Sequence, residues 1–495
     1  MRKLSVLLLM VALAFGLTQC KKTVDTVAPF GGEKIQITLN VEDGRHVVTP
    51  GNGQVEYQNG DIIYVGDGNT YIGALVCTNG TFTGEVATPT TAYLHFYFLG
   101  GVGPNPETLN MASTTSFNVN IANQSDNLPV LSYLQVEYVQ GQREYSGILQ
   151  NKCGLVKFVP ATATSEPVRV HGMKTTATID FANPGITPTD ATGTITLYPE
   201  SGEAKWAILL PQDEVSTPDG MIGKYACTMS NVPEVTANLY SISGVSMTVR
   251  QGMLGGLFTI NPDGGKVHFS QGNLQAVGTT TSSPASGWTW SFATNQYDYI
   301  GNATANTSIS GNGTVSTNGT VDLFGWSTAK TYYGINNSTN DGDYSGDFVD
   351  WGGLTIGEYN PGTWRTLTSD EWAYVFQGRT DASQKYGHGS VDGVNGMIIL
   401  PDVWVLPSGL SFTAGNSAWA NSYTTDQWEK MEKNGAVFLP EADGRYGSSV
   451  GSGGYYWSST YSSWVYAYFV LFNASQLSPQ YNGSWCSGYS VRLVF

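Results

Sequence analysis

The run Gly453-Gly454-Tyr455-Tyr456-Trp457-Ser458-Ser459-Thr460, near the end of this 495-residue chain, decides the fold that we predict for its C-terminal half. Aromatic side chains suit a half-buried pleated strand, and the Ser/Thr cluster predicts a turn after it. A second aromatic run spans 466–472, and the chain closes on 488–495. Apolar side chains alternate with Ser490 and Arg492 in this closing segment. The alternation predicts a half-buried strand that belongs to the core of a C-terminal domain.

Two helices are predicted upstream of these strands. Thr368 and Glu371 have the spacing of a capping box, in which a hydroxyl and a carboxylate satisfy free amides at a helix start. Thr424 and Gln427 have the spacing of a second capping box, and Gly435 suits the position just past the second helix. The side chains predicted to face the core are Trp372, Val375 and Phe376 in the first helix and Trp428 and Met431 in the second. Helices followed by a late sheet predict an α+β domain over 257–495.

Composition favours an exported β protein. Charged residues make up 13% of the chain, against about 25% in an average globular protein. The net charge of −16 repels phosphate backbones and argues against nucleic acid as a partner. Short strands joined by polar turns predict two tandem β-sandwich modules, 34–140 and 141–251, before the C-terminal domain. The chain is therefore predicted to be mostly β.

The N-terminus predicts export and a lipid anchor. Arg2 and Lys3 precede an apolar run over 4–17, which is the layout of a signal peptide over residues 1–20. The run ends in Leu-Thr-Gln-Cys, which resembles a bacterial lipobox. The resemblance implies that Cys20 is acylated and holds the protein on the outer membrane, with 21–33 as a tether. The alternative is an ordinary signal peptide with an unrelated cysteine.

The first two modules resemble the fimbrillin-like proteins of Bacteroidales. The similarity covers roughly 34–250 and rests on three motifs, at 59–65 (NGDIIYV), 151–158 (NKCGLVKF) and 206–211 (WAILLP). The family implies a precursor that is cut after an arginine near its first strand, so that a neighbouring subunit fills the vacated groove. Arg45 lies in a suitable place for that cut. The alternative is that Arg45 is a turn residue.

The C-terminal domain resembles the Fibrobacter-type major paralogous domain, which is related to the formylglycine-generating and C-type-lectin-like fold. Four ordered motifs carry the similarity, at 364–372, 435–440, 454–460 and 488–494. The resemblance implies a lectin-like fold and an exported setting. Formylglycine-generating chemistry implies two neighbouring cysteines that hold copper, whereas 257–495 contain Cys486 alone. His268 and His388 have no nucleophile motif such as GxSxG nearby in sequence, and no HExxH motif is present, so we predict that the protein is not an enzyme.

Two further groups of residues leave alternatives open. Carboxylates suit calcium, and a candidate calcium site is formed by Asp341, Asp343, Asp347 and Asp350. The alternative is a solvated acidic loop, and no other cofactor is predicted. The cysteines other than Cys20 allow three disulfide pairings or four buried free thiols; they are Cys77, Cys153, Cys227 and Cys486.

Together these features predict a non-enzymatic adhesin or fimbrial component on the cell surface, with a lectin-like binding domain. Its expected partners are the outer membrane through the lipid anchor, other fimbrial subunits, and a glycan or host protein. The first alternative is a surface lipoprotein that binds glycans and never polymerises. The second is an oxidase of the formylglycine-generating type.

Overall fold

The structure, a computed structural model, confirms the predicted class. By residue it is 46% strand and 8% helix. Within the described residues, no helix combines the length and the apolar character needed to cross a membrane. The structure describes residues 32–42, 57–111, 113–124, 128–198, 204–239, 243–284, 286–310, 313, 315, 318–330, 333–344 and 347–495.

The N-terminal part is built around an eight-stranded sheet with the order β10-β8-β5-β2-β3-β4-β1-β9. Inward-facing residues such as Ile37, Val65 and Phe96 form its buried core. The strands in this part of the chain are β1 (Lys34–Val41), β2 (Ile62–Gly66), β3 (Tyr71–Thr78), β4 (Thr81–Ala87), β5 (Tyr93–Phe98), β6 (Ser116–Asn120), β7 (Asn123–Gln124), β8 (Ser132–Glu137), β9 (Glu144–Gly147) and β10 (Gln150–Asn151), with a 3-10 turn at Pro106–Thr108.

The middle part contains a second eight-stranded sheet, ordered β16-β11-β19-β18-β17-β12-β15-β7, and a three-stranded sheet, β14-β13-β6. Val156, Phe158 and Ile195 lie in their shared core. The new strands are β11 (Gly154–Pro160), β12 (Val168–Lys174), β13 (Thr176–Asp180), β14 (Gly185–Pro188), β15 (Thr192–Leu197), β16 (Lys205–Leu209), β17 (Gly220–Ile222), β18 (Tyr225–Met229) and β19 (Val245–Leu254).

The border that we predicted between residues 140 and 141 is wrong. β9 and β10 follow that border in sequence, yet they pair in the first sheet. Conversely, β6 and β7 precede it and pair with strands of the second region. The parallel pairing of β9 with β1 joins residues about a hundred positions apart, and such pairings leave no local sequence signal. The two β modules therefore exchange strands across the predicted border.

The C-terminal part combines several small sheets with the two predicted helices. Its larger sheets have the orders β23-β22-β24, β28-β26-β27-β29 and β32-β33-β34. The elements are β20 (Phe258–Thr259), β21 (Lys266–Val267), β22 (Leu274–Gly278), β23 (Thr289–Phe292), α1 (Thr304–Thr307), β24 (Gly319–Val321), β25 (Arg365–Thr366), α2 (Ser369–Ala373), β26 (Tyr386–Val391), β27 (Val394–Ile399), β28 (Asn421–Tyr423), α3 (Thr425–Glu432), β29 (Val437–Pro440), β30 (Gly444–Tyr446), β31 (Ser449–Gly451), β32 (Gly454–Ser463), β33 (Tyr466–Asn473), β34 (Gln476–Ser484) and β35 (Leu493–Val494). A π-helical turn at Tyr374–Gly378 extends α2, and 3-10 turns lie at Asp341–Asp343, Trp351–Gly353 and Ala382–Gln384.

Both predicted capping boxes are confirmed. The Thr368 hydroxyl accepts from the Glu371 amide at 3.2 Å, and the Glu371 carboxylate accepts from the Thr368 amide at 2.8 Å. Thr424 and Gln427 exchange the same pair of bonds at the start of α3. All five side chains predicted to face the core are buried. Gly435 has φ of 90°, a left-handed conformation that glycine adopts without steric cost just past a helix.

The Ser/Thr turn predicted at 458–460 is wrong, because these residues lie inside β32. The strand register shifts between Trp457 and Tyr461, so the segment forms an irregularity within the strand. The Ser458 hydroxyl donates to the Tyr468 carbonyl on β33 at 2.8 Å, which keeps the two strands together there. The chain reverses later, at Trp464 and Val465.

The closing segment belongs to the core, as predicted, but it is not half-buried. Ser490 and Arg492, which were expected on an exposed face, are fully buried. Arg492 donates to the side-chain oxygens of Gln296 at 2.9 Å and Asn273 at 3.4 Å, and its burial lowers its pKa to about 10. Within the closing segment, β35 pairs with β25, and Ser490 bridges to Tyr456 of β32 through two backbone hydrogen bonds of 3.0 Å.

Candidate functional site

Two of the predicted site residues lie outside the described part of the structure. These are Cys20, the expected lipid attachment point, and Arg45, the expected cleavage point. Both remain predictions from the sequence.

The four aspartates of the predicted calcium site do not form a common cluster. The Asp350 carboxylate accepts from the Gly352 amide at 2.9 Å and from the Thr366 amide at 2.8 Å, so it holds local structure together. Asp341 accepts from the Ser484 hydroxyl, and Asp343 accepts from the Ser338 hydroxyl. Across the described residues, no group of three or more His, Cys, Asp or Glu side chains is placed to hold a metal ion.

The cysteines of the described residues are free and buried, so none of the three disulfide pairings forms. Burial raises the pKa of Cys153 and of Cys227 to about 12. Burial also raises the pKa of Cys486, whose sulfur lies 3.1 Å from the Ser484 hydroxyl. A thiol with a raised pKa is a poor nucleophile and a poor metal ligand at neutral pH.

The first strand occupies a slot inside the first sheet. β1 pairs antiparallel with β4 from Lys34 to Leu39 and parallel with β9 from Thr38 to Val41. Its inward side chains, Ile35, Ile37 and Leu39, are buried. Without β1, the edges of both β4 and β9 would lose their backbone partners. An unpaired slot of this kind can accept a strand from another chain.

Among the described residues of the C-terminal part, the most exposed large apolar side chain lies at the tip of the β32–β33 hairpin. Trp464 is 85% exposed. It lies in a two-residue turn closed by the pair Ser463 and Tyr466, with φ of 52°. Turns that require positive φ favour Gly, Asn or Asp, and a bulky residue in this conformation costs on the order of 1 kcal/mol. The turn therefore displays an indole at some cost to local stability.

Two tyrosines flank this indole, and we call residues 461–466 the aromatic hairpin. Tyr461 is 48% exposed and Tyr466 is 43% exposed. Trp485 supports the hairpin from below: its ring centroid lies 6.1 Å from that of Tyr461, and its amide donates to the Val465 carbonyl at 2.9 Å. Trp485 in turn stacks on Trp326 at 5.7 Å. Tyr461 thus stands on a packed aromatic base, and the turn is held to the same base through the Val465 carbonyl.

The surroundings of the aromatic hairpin are polar and almost uncharged. No Asp, Glu, Lys, Arg or His occurs between residues 446 and 491. The neighbouring strand β34 contributes Asn482, whose amide lies 3.4 Å from the Ser462 hydroxyl, and Ser484, which pairs in register with Tyr466. Through Ser484 the hairpin also contacts Asp341, one residue of the predicted calcium site.

Sequence reasoning did not find the aromatic hairpin, because it placed the turn at the Ser/Thr cluster. Two signals were present in the sequence. One is the long run without charge over 446–491. The other is Trp464 itself, which separates two aromatic strands where no glycine or proline offers a turn.

Comparisons with known proteins give distant similarities only. No protein-family model matches the chain, and no curated protein matches it. Similar solved structures include a "putative cell adhesion protein" from Bacteroides uniformis ATCC 8492, with 16% identity over 43% of this chain and 97% of that chain and a TM-score of 0.29. A protein described in the same words from Bacteroides ovatus ATCC 8483 has 15% identity over 45% of this chain and 97% of that chain, with a TM-score of 0.29. A fimbrial protein from the same B. ovatus strain has 12% identity over 94% of this chain and 99% of that chain, with a TM-score of 0.25. Similarity this low carries no argument about the function of this chain.

Proposed function

We propose that this chain is a lipid-anchored protein of the cell envelope that acts, without catalysis, as an adhesin or fimbrial component, and that the aromatic hairpin is its contact site. One observation carries the proposal: Trp464 is 85% exposed in a left-handed turn. Exposed tryptophan is uncommon on soluble proteins and is enriched where proteins bind partners. A turn that keeps this ring at the cost of backbone strain fits a binding role.

The proposed absence of catalysis is supported by where potential reactive groups lie. Cys486 and His388 are both buried. Burial also lowers the pKa of His388, so the imidazole is neutral at physiological pH. The proposal of a lipid anchor is based on the sequence motif that ends in Cys20. The lectin-like fold of 257–495 rests on the four sequence motifs within that range.

A fimbrial role in particular is supported by the position of β1. The strand is the first element of the described chain, it fills a slot between β4 and β9, and Arg45 follows it closely in sequence. We propose that cleavage after Arg45 frees this slot for a strand of another subunit. If cleavage does not occur, the protein is a non-polymerising surface lipoprotein, and the aromatic hairpin keeps its role.

The adhesive role is tested by presenting the full chain, immobilised on beads, to glycan arrays and to host extracellular matrix. Trp464→Asn is the informative variant, because asparagine tolerates the left-handed turn while it removes the ring. Tyr446→Ala is the matched control, since Tyr446 is an exposed aromatic (57%) outside the hairpin. We expect beads that carry the wild-type protein or Tyr446→Ala to capture a glycan or matrix ligand, and beads that carry Trp464→Asn to lose that capture. Capture that is equal in all three proteins would rule out the hairpin as the contact site.

A further inference from the structure

We infer that the aromatic hairpin binds a neutral saccharide, which stacks on the Trp464 ring. This inference rests on the proposed adhesive function and assigns its ligand class. It is carried by the exposed Trp464 indole, a turn held in place by Trp485, and a strand pair without charge.

The exposed indole of Trp464 provides a stacking surface, because most of it is open to solvent. Tyr461 pairs with Ala467, the neighbour of Tyr466, so the two tyrosines lie on opposite faces of the hairpin on either side of this indole. The C–H bonds on one face of a pyranose are apolar, and they pack against such rings much as an aliphatic group does. Because Trp485 holds the turn from below through the Val465 carbonyl, little ordering entropy is lost when a ligand binds.

The polar groups around the rings suit hydroxyls. Ser462 and Ser463 directly precede Trp464, and the Asn482 amide lies 3.4 Å from the Ser462 hydroxyl. Each of these side chains can both donate and accept a hydrogen bond. Sugar hydroxyls need partners of this mixed kind. Asp341 is the nearby carboxylate, and its Oδ1 atom already accepts from Ser484 and from the Cys486 amide.

Charge argues against anionic glycans as the ligand, and the size of the exposed surface argues against a protein. Sialylated or sulfated glycans are anions, and 446–491 contribute no Lys or Arg to pair with them. A protein partner of standard size would need about 800 Å² of complementary surface on each side, whereas the exposed rings here are three side chains, two of which lie on opposite faces of the hairpin. A neutral saccharide matches both the absence of Lys and Arg in 446–491 and the small extent of the exposed surface.

The test uses the full chain on an array that carries neutral and anionic glycans, followed by titration calorimetry with the neutral oligosaccharides that bind. We expect neutral glycans to bind, with an affinity that does not change between low and physiological salt. Trp464→Asn should weaken that binding by about tenfold or more, which corresponds to the loss of one well-stacked ring. Tyr446→Ala should leave it unchanged, and thermal unfolding should confirm that both variants are folded.

Four other outcomes overturn the inference. Binding confined to anionic glycans, or neutral binding that survives Trp464→Asn, would show that the ring does not hold a neutral sugar. If no glycan binds while Trp464→Asn still abolishes capture of a matrix protein, the saccharide inference fails and the adhesive function stands. If Trp464→Asn changes neither glycan nor protein capture, the saccharide inference and the proposed role of the hairpin in adhesion both fail.

Discussion

Removal of the first strand is expected to unfold the N-terminal sheet unless another strand takes its place. Deleting residues 34–42 withdraws Ile35, Ile37 and Leu39 from the core. At about 1.5–3 kcal/mol for each fully buried aliphatic side chain, the loss is roughly 5–9 kcal/mol. The hydrogen bonds to β4 and β9 are lost as well. The free energy of unfolding of a domain is only about 5–15 kcal/mol in total. The loss therefore removes most of the free energy of unfolding expected for the first module.

The assay is thermal unfolding of the deleted chain, with and without a synthetic peptide of sequence KIQITLNVE, residues 34–42. We expect an early unfolding transition in the deleted chain, and we expect the peptide to restore the original one. A peptide with Ile37→Asp is the matched control, because that side chain is buried and a carboxylate cannot be accommodated there. If the deleted chain melts like the intact protein, or if both peptides restore it equally, β1 is not an exchangeable strand and the fimbrial proposal loses its support.

The remaining predictions concern the C-terminal part. Thr424→Ala removes the cap of α3 and should lower the free energy of unfolding by about 1 kcal/mol, measured from urea midpoints, whereas Thr425→Ala should have less effect. Burial raises the pKa of Asp322 from 3.8 to about 6, so the native state binds this proton more tightly than the unfolded state. The stabilisation is complete below the unfolded pKa and is lost as pH rises through about 6, a change of about 3 kcal/mol. Guanidinium unfolding across this range should show a flatter pH profile for Asp322→Asn than for the wild type. Calcium should not raise the melting temperature of the full chain, because the carboxylates of Asp341, Asp343 and Asp350 bind different protein partners; a clear rise would show that a site forms there.

The sequence predicted those features whose causes are local. Both helices follow from capping boxes spaced over three residues, and the buried faces follow from helical periodicity around Trp372 and Trp428. The mostly β class follows from short apolar runs between polar turns.

Features that depend on distant partners escaped prediction. The alternation around Arg492 suggested an exposed face, but Gln296 and Asn273, roughly two hundred residues earlier, supply partners that make its burial tolerable. The border between the first modules was misplaced because β9 pairs with β1. The turn was misplaced because the hydroxyl of Ser458 bonds to the partner strand, whereas Trp464 occupies a conformation that local propensity disfavours.

The proposal that the hairpin displays Trp464 for binding is tested most directly by measuring stability and adhesion together on one variant. Trp464→Asn relieves the strain of the left-handed turn, so its melting temperature should be equal to or higher than that of the wild type. Its capture by the glycan or matrix ligand of the wild-type protein should fall by about tenfold or more. Equal or higher stability with lost adhesion is the result that the proposal predicts. Lower stability with unchanged adhesion would show that Trp464 serves the fold and not the ligand, and would contradict the proposal.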